Sequence, residues 1–236
     1  MSELRNLTLH RVFRSVKIHD TMMSREIPTK RKYELKQRAQ EMAETRRRIT
    51  AAAIDLHGTV GPSRTTLSAV AKRAGVERRT LYRHFPNEAD LFAACSSDYF
   101  AANPWPDLDA WRAIRDPQER LERALDELYA YFERTEPMFS NVLRDAEIVD
   151  FARDAVAPLH AYLEEAAQIL AVGRRARGRR RQLLETALRH ALAFSTWRSL
   201  SAGATPRADA VRLSSALVQA ADATPVGRAS GASDPR

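Results

Sequence analysis

The sequence predicts an all-α protein in two parts, a small N-terminal helical domain and a larger helical domain behind it. Three observations lead there. Apolar residues recur with a helical period: Leu67, Val70, Ala71 and Ala74 fall at offsets 0, 3, 4 and 7. No stretch alternates polar and apolar residues as a half-buried strand would. Charge is divided along the chain: residues 1–92 hold 19 Lys and Arg against 10 Asp and Glu, and residues 93–236 hold 19 against 20. The net charge of +8 therefore belongs to the N-terminal part, which suits a polyanionic partner there.

With 236 residues, 44% of them apolar, the chain can bury a substantial core. Cys95 is the single cysteine, so no intrachain disulfide can form and a reducing compartment is expected. Its setting, LFAACSS, is that of a small buried residue. No apolar run approaches the roughly 18 residues of a membrane span, and the N-terminus lacks the apolar core of a signal peptide. The expected location is cytoplasmic, with no membrane partner.

Residues 1–29 mix apolar and basic side chains without a period. Met22 or Met23 could be the true start, so residues 1–21 are either an over-extended gene model or part of a weakly ordered basic arm. From Lys30 to His57 the chain is strongly helix-forming, charged in its first half. Ile49, Ala53 and Leu56 form a core-facing stripe in its second half, and Gly58 is expected to end the helix. Gly61 to Arg64 reads as a turn, after which Thr65 or Thr66 caps the next helix. Gly75 breaks that helix, and another begins near Glu77. In it Leu81 and Phe85 face inward at i, i+4. Arg79 and Arg83 point the opposite way, Thr80 lies beside them, and Tyr82 and His84 flank the stripe. Pro86-Asn87 makes a turn and cap for a helix over Glu88–Ala102, apolar through Leu91, Phe92, Cys95, Tyr99 and Phe100.

The stop at Asn103 to Pro106 divides a domain at 30–103 from a second at 104–221. Pro and Gly partition the second into candidate helices at about 107–115, 118–134, 138–145, 147–170, 181–200 and 207–221, with Pro158 expected to kink or split the fourth. The segment 222–236, rich in Ala, Gly, Ser and Pro, is expected to be disordered. The last two helices are apolar on two sides. Leu184, Leu188, Ala191 and Ser195 oppose Leu183, Ala187, Phe194 and Trp197; Leu213, Leu217 and Ala220 stand beside a second stripe of Val211 and Val218. Such helices are either central to their own domain or bury one side against a second copy of the chain in a symmetric bundle. The Arg-rich run at 173–181 reads as a solvated connection.

From about Arg46 to Ala94 the sequence resembles the N-terminal domain of the TetR (tetracycline repressor) family of bacterial transcription regulators. The motifs are Ile-x-x-Ala-Ala at Ile49 to Ala53, Thr-x-x-x-Val-Ala-x-x-Ala-Gly-Val at Thr66–Val76, Thr-Leu-Tyr-Arg-His-Phe at Thr80–Phe85, and the apolar helix with Leu91 and Phe92. The resemblance implies a homeodomain-like helix-turn-helix DNA-binding domain followed by a helical ligand-binding and dimerisation domain. It implies transcription regulation, as a repressor, by a homodimer on a palindromic double-stranded operator, with dimerisation through the helices at about 181–200 and 207–221. Thr66 and Ser68 would lie near the DNA, and Arg78, Arg79 and Thr80, with Arg83, would read bases. Tyr82 and His84 would bind phosphates, and Arg46 and Arg47 would add to the contact. Glu88 stands where the family often has Lys, which would remove one phosphate contact. A small-molecule effector would bind the second domain, where Trp111, Tyr131, Phe132, Phe139, Phe194 and Trp197 are the candidate lining. No metal or other cofactor is expected.

Two other functional classes meet the composition less well. A helical-bundle enzyme would hold a di-metal site through Glu-x-x-His pairs, but no His has an acidic residue three positions before it. Gly-rich phosphate loops, Cys/His metal spacing and nucleophile elbows are also missing. A non-specific architectural DNA-binding protein would account for the charge but not for the large, nearly neutral C-terminal part.

Overall fold

Over residues 30–223, which the computed structural model describes, the chain forms ten α-helices and one 3-10 turn, with no strand among them. In order they are α1 (Lys30–Thr59), the 3-10 turn (Pro62–Arg64), α2 (Leu67–Ala74), α3 (Arg78–His84), α4 (Glu88–Ala102), α5 (Leu108–Ala113), α6 (Pro117–Asp145), α7 (Asp150–Ala171), α8 (Arg179–Leu192), α9 (Phe194–Ser201) and α10 (Arg207–Ala223). The expectations for residues 1–29 and 224–236 lie outside the described residues. The chain divides into one unit ending at Glu41 and another beginning at Met42. In the first, side chains from Lys32 onward are exposed and Gln37 Nε2 donates to Glu41 Oε1 at 3.1 Å. None of the described helices is long and apolar enough to cross a membrane.

Side-chain caps open four of the described helices, α2, α4, α5 and α6. Thr66 accepts the Ala69 N–H into α2, Asn87 the Asp90 N–H into α4, and Asp116 the N–H groups of Gln118 and Glu119 into α6. Each side chain satisfies donors that the first helical turn leaves orphaned. The end of α1 differs from expectation. Gly58 stays helical, and the chain turns at Gly61, whose φ of +93° is open to glycine alone at low cost.

Two hydrophobic clusters organise the second unit. The first joins Ile49 and Ala53 of α1, Val70 of α2, Leu81 and Phe85 at α3, and Leu91, Phe92 and Cys95 of α4, and it extends to Ala152 and Val156 of α7. The second lies among α5 to α10, where α6 packs on α7, α7 on α8, α8 on α10 and α10 on α6. Burying one of these large side chains is worth about 1.5–3 kcal/mol.

Two expected helix limits fall elsewhere, at Pro137 and within 181–200, because tertiary packing decides them. Pro137 does not divide α6, and Pro158 does not split α7. A proline inside a helix costs about 3 kcal/mol. Around Pro137 the core residues Phe132, Thr135 and Phe139 are buried, and Thr135 Oγ1 donates to the Tyr131 carbonyl at 2.7 Å. The expected helix 181–200 breaks at Ala193, which is extended with ψ of 136°. That turn lets Phe194 and Trp197 pack against each other at 5.3 Å and against Phe132 at 5.3 and 5.9 Å. A continuous helix would aim them differently from Leu184 and Leu188.

His57 is buried beside Cys95, with Sγ 3.5 Å from Nδ1, and its ring lies 4.9 Å from that of Phe92. Burial drives its pKa down to about 4, against a smaller opposing pull from Asp145. A folded-state value below the unfolded one means that protonation favours unfolding. Stability is full above about pH 6.5 and falls as pH drops towards 4, by up to about 3 kcal/mol from this group. Urea unfolding of His57→Leu should therefore show a shallower loss between pH 6.5 and 4.5 than the wild type. Parallel curves would show that His57 carries no such penalty.

Candidate nucleic-acid interface

A helix of seven residues is too short to persist alone, so α3 takes its geometry from its supports. Leu81 and Phe85 are fully buried beneath it. Gly75 links it to α2 in the left-handed conformation, φ 64° and ψ 39°. Two arginines of α1 complete the support. Arg46 lies over the Phe85 ring, 4.1 Å from its centroid, and donates to the His84 carbonyl at 3.1 Å. Arg48 donates from Nη2 to the carbonyls of Ala74 at 2.6 Å and Gly75 at 2.9 Å, and so satisfies the end of α2.

The outer side of α3 is what remains. Arg78, Arg79, Tyr82 and Arg83 are exposed, and Thr80 is half-buried. Arg78 Nη2 donates to the Tyr82 hydroxyl at 3.1 Å. Arg79 and Arg83 make no hydrogen bond or ion pair among the described residues. Each guanidinium offers five N–H donors. Thr66 and Ser68 stand exposed at the start of α2, the first with its hydroxyl oxygen committed to the cap.

The other expected residues are placed less openly. Arg47 is exposed and paired with Glu44 one turn earlier. Arg46 is held against Phe85 and the His84 carbonyl. His84 is half-buried, and its Nε2 is shut off from solvent without a partner. Burial, then the charges of Arg83 and Arg46, lower its pKa, so the ring is held neutral. Glu88 is exposed in the first turn of α4, where a carboxylate suits the helix dipole.

Behind this surface lies a void where α1 and α4 meet α6 and α7. Its walls include Ile54 and His57 of α1, Phe92, Cys95, Ser96, Tyr99 and Phe100 of α4, Met138, Phe139, Val142 and Leu143 of α6, and Ala155, Val156 and Leu159 of α7. The space, about 40 Å³, would take a few water molecules. Of the six aromatic residues expected to line a pocket, Phe139 alone borders this one. Trp111, Tyr131, Phe132, Phe194 and Trp197 pack in the larger cluster, with the Trp111 indole N–H on Glu127 at 2.8 Å. The buried Cys95 thiol is pushed up to about 12, chiefly by burial, so it stays protonated and unreactive.

A supported short helix with a cationic outer side, joined to its partner through a left-handed glycine, is a helix-turn-helix module. Residues 49–95 match the family described as bacterial regulatory proteins, tetR family. The HTH-type transcriptional regulator AcrR of Shigella flexneri is 44% identical over 54 residues, which cover 23% of this chain and 25% of that protein. The match thus spans only a quarter of the curated relative. Beyond it the likeness is one of fold. A TetR-like transcriptional regulator from Rhodococcus sp. RHA1 superposes with a TM-score of 0.55 at 18% identity, over 75% of this chain and 94% of that one. Bacillus subtilis FadR, solved in complex with stearoyl-CoA, does so at 0.51 and 16%, over 75% and 97%.

The clamp of Arg48 was not apparent from the sequence, where it is one of three successive arginines. Arg48→Ala should lower stability by about 1 kcal/mol, since charge-assisted bonds to two helix-end carbonyls are lost. Arg47→Ala should leave it unchanged within error. Denaturant midpoints of the two variants check this, and equal effects would remove the distinction.

Proposed function

We propose that the protein is a DNA-binding transcription regulator. It acts as a repressor, binds a palindromic operator as a homodimer, and is released by a small-molecule effector. The observation that carries this reading is the pair of arginines without a partner among the described residues, Arg79 and Arg83, on the outer side of a helix whose inner side is locked. An arginine on guanine O6 and N7 discriminates by about 1–3 kcal/mol. Arg79 is the first base reader, with Arg78, Thr80 and Arg83 beside it. Tyr82 and the start of α2, at Thr66 and Ser68, position the helix on phosphates. Arg46 acts mainly as a support, because it is engaged by the Phe85 ring and the His84 carbonyl, and His84 is set back because its Nε2 is enclosed.

In this reading residues 30–103 form the DNA-reading domain and residues 104–221 the regulatory one. The homodimer is supported by Leu183 on α8 and by Leu213 and Leu217 on α10, which stand 42%, 56% and 45% exposed on helices otherwise packed inward. A second copy of the same surface would cover them. The void supports a compact, mainly apolar effector with one hydrogen-bonding group, for which His57 and Ser96 are the partners. A larger ligand would have to open the junction of α4, α6 and α7.

Selection from random duplexes at physiological salt should return one palindromic sequence, and the absence of any preference would favour the architectural alternative. On the selected operator, Arg79→Ala should relax preference at one position per half-site by roughly 5- to 150-fold. Tyr82→Phe should weaken binding evenly on all sequences; equal effects of the two variants would end the division into readers and positioners. Leu217→Glu should give a monomer by sedimentation, with helical content retained. A stable dimer in that variant would move the interface elsewhere.

A further inference from the structure

The last two turns of α6 carry two adjacent faces. Met138, Phe139, Val142 and Leu143 border the void. Asn141, Arg144 and Asp145, roughly a quarter to half a turn round from the middle of that face, grip the connection between α1 and α2. Asn141 Nδ2 donates to the Gly58 carbonyl at 2.8 Å, and Arg144 Nη2 reaches the Val60 carbonyl at 3.4 Å. Asp145 Oδ2 accepts the Ser63 N–H at 2.8 Å, and its Oδ1 accepts from Arg144 Nε at 2.8 Å. Arg144 Nη1 in turn donates to Asn141 Oδ1 at 3.0 Å. The three side chains brace one another while each but the last reaches a backbone oxygen and the last takes a backbone N–H.

Asp145 is the unusual member. Its carboxylate is 1% exposed and sits at the C-terminal end of a helix, where the dipole repels negative charge. Burial opposes its ionisation, but the bonds from Arg144 and Ser63 outweigh this and hold the carboxyl below its usual range. The opposite strand of the contact is equally particular. Any Cβ at Gly61 would collide with Arg144 Nη2 and Asp145 Oδ2, and Gly61 is at positive φ. From Ser63 the chain runs within four residues into α2.

We infer that the Asn141–Arg144–Asp145 clamp, centred on Asp145, is the positioning element that couples the state of the void to the α2–α3 hairpin. This rests on the reading above, in which a ligand fills the void and α3 reads DNA. The two faces belong to the same two turns of helix, so α6 cannot give way to a ligand without carrying the clamp. Loss of the grip frees the connection and, with it, the aim of α3.

Amide hydrogen exchange on the full chain without DNA tests the coupling. Asp145→Ala should speed exchange at Ser63 and over residues 67–84 by tenfold or more, with α8 and α10 unchanged. Asp145→Asn, which keeps an acceptor for Ser63, should restore most of the protection. Ala155→Met, which adds bulk to the void in place of a ligand, should speed the same hairpin amides, and adding it to Asp145→Ala should have no further effect. On the selected operator, Asp145→Ala should bind about tenfold more weakly and Asp145→Asn within about threefold of wild type. Asn141→Ala, which strands no charge, carries the same expectation at smaller size and decides the matter should Asp145→Ala not fold. Unchanged hairpin exchange, uniform acceleration across all helices, or full additivity with Ala155→Met would overturn the inference. A wild type that selects no DNA sequence would refute the regulator reading, while the DNA-free exchange result still decides the clamp.

Discussion

Seven residues of helix form too few hydrogen bonds to offset the cost of nucleating them, so α3 depends on what lies beneath and around it. Leu81 and Phe85 hold it down, the left-handed Gly75 sets its angle to α2, and Arg46 and Arg48 reach across from α1 to hold both helix ends. The direction of dependence explains the division among the arginines. Those whose cations meet backbone carbonyls inside the domain fix geometry. Those without a partner among the described residues can meet a ligand. Arg48 and Arg79 carry the same group to opposite ends.

The hairpin and its flanks were legible because their determinants are local. Thr66, Gly75, Asn87 and the inward pair Leu81 and Phe85 all act within one or two turns of themselves, and the structure has each in its expected role. The all-helical class was equally plain, since no stretch alternates as a strand must. What failed was the use of single residues as stops. Pro137 remains inside a helix whose buried face outweighs the lost hydrogen bond, and Ala193 ends α8 with no breaker signal at all. Its ψ follows from where Phe194 and Trp197 find aromatic partners.

The site divides along the same line. Outward residues of α3 follow from the helical wheel once the inward pair is known. The wheel could not tell that Arg46 is occupied by Phe85 and the His84 carbonyl, nor that His84 Nε2 is enclosed. The void and the clamp left no local trace whatever. Asn141 meets Gly58 across 83 residues and Asp145 meets Ser63 across 82, and nothing near either partner in sequence announces the other.

Gly61 shows what such a long-range fit demands of inheritance. Its φ of 93° with ψ of 159° is a conformation essentially confined to glycine, and the space for a side chain is filled by Arg144 and Asp145 as well. The three positions are thus constrained as a set. A lineage that replaced Gly61 would have to withdraw the side chains at 144 and 145 and also change the turn itself, whereas one that lost Asp145 would still need glycine at 61. Among descendants of this chain, a change at residue 61 should therefore come only with changes at 144 and 145, although 83 positions of chain separate residue 61 from residue 145.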